Sequence, residues 1–406
     1  MKKLTLLLII IHICQFLNSQ YEGYSNDSWN HQLKFEEIFL KNIDNTSFKK
    51  HLKKLTERPH VVGSEGNAEV IKYIGDIMSK AGLEVTNYPY DVFLPNNPGT
   101  SIIEIVTPTR KVLNQKEDII PGDPFTTHPE LWKGWNAFSG SGDVTAEVVY
   151  ANYGRKQDFE ELKRLGVNVK GKIVIARYGG NFRGYKAKFA EANGAIGLII
   201  YTDPLDSGFT KGLVYPEGPF YNPSTIQRGS LLTANFTGDP LTPFEPALPL
   251  DGKKKIKRLD PNDAQLHTIP VSPIGYGEAE KILEQMKGNP VPQSWQGGLP
   301  FTYRLEGGQS LLVRLKVDQK IDFVRATNVI GLLEGSVAPD EWIILGCHLD
   351  SWGFGATDPS SGTAMLLSLS ETLGILKDQG YTPNRSILIG HWDAEEHGVI
   401  GSTEWV

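Results

Sequence analysis

Twice along this chain an apolar run of strand length, a helical stretch and a second apolar run follow one another. The first set is Lys172-Ile173-Val174-Ile175-Ala176, a glycine-bearing loop, a helix over 185–193, then Leu198-Ile199-Ile200-Tyr201. The second is the run 342–346, an amphipathic helix over 363–376 and Ile387-Leu388-Ile389-Gly390. Such short, continuous apolar runs read as strands buried on both faces, and strand, helix, strand within about thirty residues is one βαβ unit. The chain is therefore of α/β class, and the strands of each set lie in a sheet covered by helices. No internal repeat is present.

Around these units the pattern predicts helices within 46–82, capped at Ser47 and at Asn67 and stopped at Gly82. A strand follows over 83–86, and a boundary falls where proline and asparagine crowd 95–99. Residues 100–322 are rich in turns and short strands, with 203–250 reading as loop. The division expected is 1–19, 20–98, 99–322 and 323–406.

The ends bear on location. Lys2 and Lys3, the apolar stretch 4–17 and Asn18-Ser19-Gln20 have the layout of a secretory signal peptide. The stretch is short for a bilayer span, and a type II membrane anchor is the alternative. Cys14 lies in that segment, which leaves Cys347 alone and no internal disulfide. Sequons at Asn26, Asn45, Asn235 and Asn384 matter if the host glycosylates secreted proteins. At the other end the chain stops at Trp405-Val406, inside the start of a helix and without a cap, so continuation beyond it is expected. A net charge of −6 excludes nucleic acid as the main partner, because phosphate binding needs a basic footprint.

Chemistry gathers where strands end. Gly346-Cys347-His348-Leu349-Asp350-Ser351-Trp352 follows one apolar run, Thr357-Asp358-Pro359-Ser360-Ser361-Gly362 opens the helix, and Trp392-Asp393-Ala394-Glu395-Glu396 follows the next run. Ligands of open α/β sheets sit beyond the carboxyl ends of strands. His348 and Asp350 are two apart, so extended backbone points both to one side, with Asp350 placed to hold the second nitrogen of the imidazole. One imidazole with two or three carboxylates suits one zinc, or two zincs sharing a carboxylate. Of the adjacent glutamates, one can bind metal while the other acts as general base toward water, which makes metal-assisted hydrolysis the reaction class. Cys347 should point away from His348 and be buried, and His397 reads as packing or surface.

These stretches, with Gly398, Gly401-Ser402-Thr403-Glu404-Trp405, resemble the glutamate carboxypeptidase II (N-acetylated-alpha-linked acidic dipeptidase) group of the M28 zinc peptidases. Upstream, 171–184, Ile226-Gln227-Arg228-Gly229, Gly238-Asp239-Pro240-Leu241-Thr242-Pro243 and Ile274-Gly275-Tyr276 resemble its protease-associated domain. The resemblance covers residues 45–406 and implies a mixed-sheet peptidase core interrupted by that domain. It implies two zinc ions, with His348 on one, Glu396 on the other and Asp358 between them. Glu395 is then the base in hydrolysis of short peptides by a zinc-bound hydroxide. Arg183 matches an arginine that holds the substrate's terminal carboxylate, and Thr242 and Glu404 match ligands of a structural calcium. The family's remaining zinc ligands, an aspartate and a histidine, and its helical dimerisation domain fall beyond Val406. A homodimer is expected of the complete protein, and weak zinc binding without activity of a 406-residue product. Ser230 and Gly180 stand where glutamate-specific members carry asparagine and lysine, which removes the ground for a glutamate preference. The rival readings are a catalytically inactive fragment and a transferrin-receptor-like binding protein. The receptor lacks the metal ligands, whereas His348, Asp358, Glu395 and Glu396 are all present here.

Overall fold

The computed structural model describes residues 23–406. The signal-peptide stretch, including Cys14, lies outside them. In chain order the elements are α1 (Asn26–Asn42), α2 (Asn45–Leu55), α3 (Glu65–Lys80), β1 (Glu84–Leu94), β2 (Thr100–Thr107), β3 (Lys111–Val112), β4 (Asn136–Ala137) and β5 (Gly142–Tyr150). Then come α4 (Lys156–Arg164), β6 (Ile173–Arg177), α5 (Arg183–Ala192), β7 (Gly197–Tyr201), α6 (Pro204–Ser207), β8 (Gly229–Ser230), β9 (Val271–Ile274) and α7 (Tyr276–Leu283). Last are β10 (Leu312–Asp318), β11 (Asp322–Leu333), β12 (Ala338–His348), α8 (Ser360–Asp378), β13 (Arg385–Trp392) and α9 (Ile400–Trp405).

A seven-stranded sheet of order β3-β2-β10-β5-β6-β7-β9 takes the middle of the chain. Its β5, β6, β7 and β9 run parallel, and β6 and β7 are buried at every residue. Ile173, Val174, Ile175, Leu198, Ile199 and Ile200 meet no solvent. At about 1.5–3 kcal/mol for each large aliphatic chain removed from water, this core is the main source of the region's stability.

A four-stranded sheet, β1-β11-β13-β12, takes the two flanks of the chain. β12 and β13 are parallel and joined through α8, while β1, β11 and β13 pair antiparallel. α3 and α8 supply its core through Val70, Ile74, Ile77, Met78, Leu366, Leu367, Leu373 and Leu376. A smaller apolar group, including Val62, Tyr90, Trp135, Phe138, Ala394 and Ile400, packs between the regions. No helix among the described residues is long and apolar enough to cross a membrane.

Three sequence expectations need correction. The caps of the first helices are Asp44, accepting from Thr46 N, and Ser64, accepting from Asn67 N. The serine predicted as a cap, Ser47, instead turns its hydroxyl to Glu371 on α8, and Asn67 lies a turn inside its helix. β1 extends eight residues past 86, because Tyr90, Val92 and Leu94 continue the apolar face against β11. The run 342–346 is a strand but is not buried: Trp342, Ile343, Ile344 and Leu345 are 57%, 48%, 47% and 37% exposed. β12 is the outermost strand and, among the described residues, bonds to β13 alone, so its far edge lacks the neighbour that burial requires.

Candidate metal centre

β12 and β13 end side by side, with His348 in register with Trp392. The chain beyond each strand carries the polar groups. His348 Nε2 lies 2.8 Å from Asp358 Oδ1, and Nδ1 lies 3.0 Å from the main-chain oxygen of Asp350. A carbonyl oxygen only accepts, so Nδ1 carries the hydrogen and Nε2 is the nitrogen left to face a cation. Glu395 Oε2 stands 3.7 Å from Nδ1.

Asp350 does not hold the imidazole by its carboxylate, which is 3.6 Å from Nδ1. The strand ends at His348, and past it the alternation of side chains no longer applies. The buried carboxylate instead accepts from the main-chain N–H of Glu395 at 3.0 Å and of Glu396 at 3.3 Å. Asp350 therefore fixes the glutamate loop, and its main chain fixes the histidine.

That loop is bent sharply. Ala394 and Val399 have φ of 56° and 58°, in the left-handed region that costs non-glycine residues about 1 kcal/mol or more each. Buried groups hold it there. Asp393 accepts from Asn67 Nδ2 at 3.0 Å, Thr327 N at 2.8 Å and Ala394 N at 3.0 Å. Asn328 accepts from Asp393 N and donates to the Gly401 oxygen. His397 Nε2 donates to the Pro95 oxygen at 2.8 Å, its buried ring 4.7 Å from that of Trp352. Ser230 Oγ, from β8, donates to the His397 oxygen at 2.9 Å. Asn67, Asn328, Asp393 and Ser230 thus brace the loop, a part that sequence reasoning gave to none of them. The available signal was Asn67 on the stripe of Val70, Ile74 and Ile77, a polar residue on the buried face of its helix.

Crowding of acids shapes the charge. Burial, then Asp350 and Asp358, pushes Glu396 up to about 8. Burial also raises Glu395, against the opposing pull of His348. For His348 burial works against the charge, yet Asp350 and the two glutamates outweigh it and lift the imidazole to about 9. An imidazole among carboxylates with too little positive charge suits a divalent cation. Among the described residues no three His, Cys, Asp or Glu side chains are set to close on one ion, so the donor set is open.

Arg183 opens α5 and faces this cluster across a pocket of about 320 Å³ lined also by Glu395, Glu396 and Ser230. Its guanidinium lies on Gly229, where a Cβ would sit 2.2 Å from Cζ, so only glycine allows the approach. Thr242 and Glu404 come together through Asp239, which accepts from Thr242 Oγ1 and donates its N–H to Glu404 Oε1. Cys347 is half-buried, with its thiol 3.6 Å from the Pro359 oxygen. His391 is fully buried with neither ring nitrogen partnered, and burial holds it down at about 3.

Residues 328–406 match the model of Peptidase family M28, and residues 144–228 that of the PA domain. A glutamate carboxypeptidase 2 homolog of Caenorhabditis briggsae is 37% identical over 382 residues, 90% of this chain and 49% of that protein. Aminopeptidase NAALADL1 of Rattus norvegicus is 34% identical over 401 residues, 94% of this chain and 53% of that protein. The chain spans about half the length of the curated relatives it matches. Among solved structures, the Peptidase M28 precursor from Shewanella amazonensis SB2B superposes with a TM-score of 0.56 at 17% identity, covering 92% of this chain and 70% of that one. The aminopeptidase from Aneurinibacillus sp. strain AM-1 gives 0.52 at 19% identity, with 91% and 67% covered. These two share the fold. The likeness to peptidase family M28 thus lies in residues 328–406, and the likeness to the PA domain in residues 144–228.

Proposed function

We propose that this protein is a zinc-dependent exopeptidase that removes C-terminal residues from short peptides outside the cytosol. The observation that carries the reading is the meeting of His348 with Asp358 and Glu395 beyond the ends of two parallel strands, with Glu396 and Arg183 lining the pocket beside them. His348 Nε2, Glu396 and Asp358 would hold zinc, Asp358 being shared where two ions bind. The metal supplies Lewis-acid polarisation of the scissile carbonyl and acidifies water.

The protein's own groups do the rest. Glu395 accepts a proton from the attacking water at its carboxylate and delivers it to the leaving amine nitrogen. Asp350, accepting from two main-chain N–H groups, holds the backbone of both glutamates beside the pocket. Arg183 binds the free carboxylate of the substrate, for which a planar fork of donors is suited. Thr242 and Glu404, with Asp239, form the site read as calcium-binding, remote from the reaction. Secretion follows from the layout of residues 1–20, and the homodimer belongs to the same reading.

The test joins metal content to turnover. Protein purified from its source should contain zinc, hydrolyse acylated dipeptides and lose that activity to a chelator. Glu396→Gln should lower bound zinc at least tenfold. Hydrolysis that survives complete metal removal would overturn the reading.

A further inference from the structure

The pocket between Arg183 and the glutamates has a chemical character of its own. Its lining combines Phe182, Tyr185, Leu232, Phe236 and Val399 with the hydroxyl residues Ser230, Thr233 and Thr237 and the two glutamates. Among the described residues Arg183 is the one cation lining it. The guanidinium lies between rings, 5.3 Å from Phe182 and 5.9 Å from Tyr178. NH1 donates to the Ser230 oxygen at 3.4 Å, and among the described residues the buried Nε has no partner. Among the described residues no carboxylate pairs with it within 4.0 Å, unlike Arg155, Arg177 and Arg228, whose carboxylates are in place. An arginine held by ring stacking, with donors unspent, is set for a carboxylate brought from outside.

Beyond Arg183 the lining holds hydroxyls and carboxylates but, among the described residues, no second cation to meet a second negative charge. The Ser230 hydroxyl is consumed within the protein, donating to the His397 oxygen and accepting from Leu232 N at 3.1 Å. Gly180, in the loop before α5, has φ of 74°, and a Cβ there would lie 2.8 Å from Tyr153, so that loop has no room for a charged side chain. The nearby Lys186 is buried with Nζ donating to the oxygens of Tyr153, Gly179 and Asn181, which leaves no donor for a ligand.

We propose that this pocket accepts a terminal residue with an aromatic or large aliphatic side chain, its free carboxylate on Arg183, and discriminates against acidic residues. The inference rests on the exopeptidase reading for its place in a reaction, but the pocket is testable by binding alone. Titration calorimetry on the protein with N-acetylphenylalanine, N-acetylglutamate and N-acetylphenylalaninamide separates side chain from carboxylate. N-acetylphenylalanine should bind at least tenfold more tightly than either of the others. Tyr185→Lys, at an exposed helix position, should add a cation to the wall and improve N-acetylglutamate at least threefold. Arg183→Gln should abolish the advantage of the free acid over the amide. Equal or tighter binding of N-acetylglutamate, or no binding of any of the three, would overturn the proposal. The predicted order of binding in a protein that hydrolyses no peptide would leave the pocket standing and remove the exopeptidase reading. Hydrolysis that favours C-terminal glutamate would do the reverse.

Discussion

The two sheets of this molecule bury their strands to different degrees. In the seven-stranded sheet β6 and β7 are closed on both faces and both edges. In the four-stranded sheet the outermost strand, β12, exposes Trp342, Ile343, Ile344 and Leu345, although it leads directly to His348. The same kind of apolar run therefore makes a core in one place and an open edge in another. The difference lies in the neighbours, and it shows that local hydrophobicity reports strand formation rather than burial. It also separates tasks: the closed sheet anchors Arg183 through α5, whereas the open sheet carries the acids and the imidazole.

Substitution can sharpen this contrast. Ile199→Ala, in the closed sheet, should cost about 2–5 kcal/mol in denaturant unfolding, because a buried cavity would remain. A cost below 1 kcal/mol would mean that this core is looser than its burial shows. Next in size is Asp393→Ala, which leaves three buried N–H donors without their acceptor. We expect about 3 kcal/mol of destabilisation and a loss of bound zinc, both removed from the comparison if the variant behaves as wild type.

A smaller effect concerns protons. With His348 at about 9 and Glu396 at about 8, both groups hold a proton at pH 7. Zinc must displace them, so uptake in weak buffer should release about two protons at pH 7 and almost none near pH 10. Apparent zinc affinity therefore rises with pH through this window. Release that does not change with pH would contradict the charge balance described for the site. The smallest effect is expected at the open edge, where Ile344→Ala should change stability by no more than about 0.5 kcal/mol. A cost like that of Ile199→Ala would show that something covers β12.

Much of this was legible in the sequence because short-range pattern determines it. Both strand-helix-strand sets formed at the expected places, and beyond the parallel strand ends His348 lies near Asp358 and Glu395. What could not be read depended on distant partners. Asn67 and Asp393 meet across 326 positions, so neither residue's neighbours in sequence disclose the bond. Asp350 was expected to hold the imidazole by its carboxylate, but two residues past the end of the strand its side chain is free to turn toward the glutamate loop. Ser230, read as a departure from the family's substrate pocket, lines that pocket and also braces the glutamate loop.

The central claim is that Glu395 moves the proton while its neighbours hold the metal. Glu395→Ala in the complete protein, assayed for zinc content and peptide hydrolysis on the same preparation, tests it most directly. The account predicts zinc at the wild-type level with hydrolysis reduced at least a hundredfold, the range lost with a general base. Wild-type hydrolysis by Glu395→Ala would contradict it.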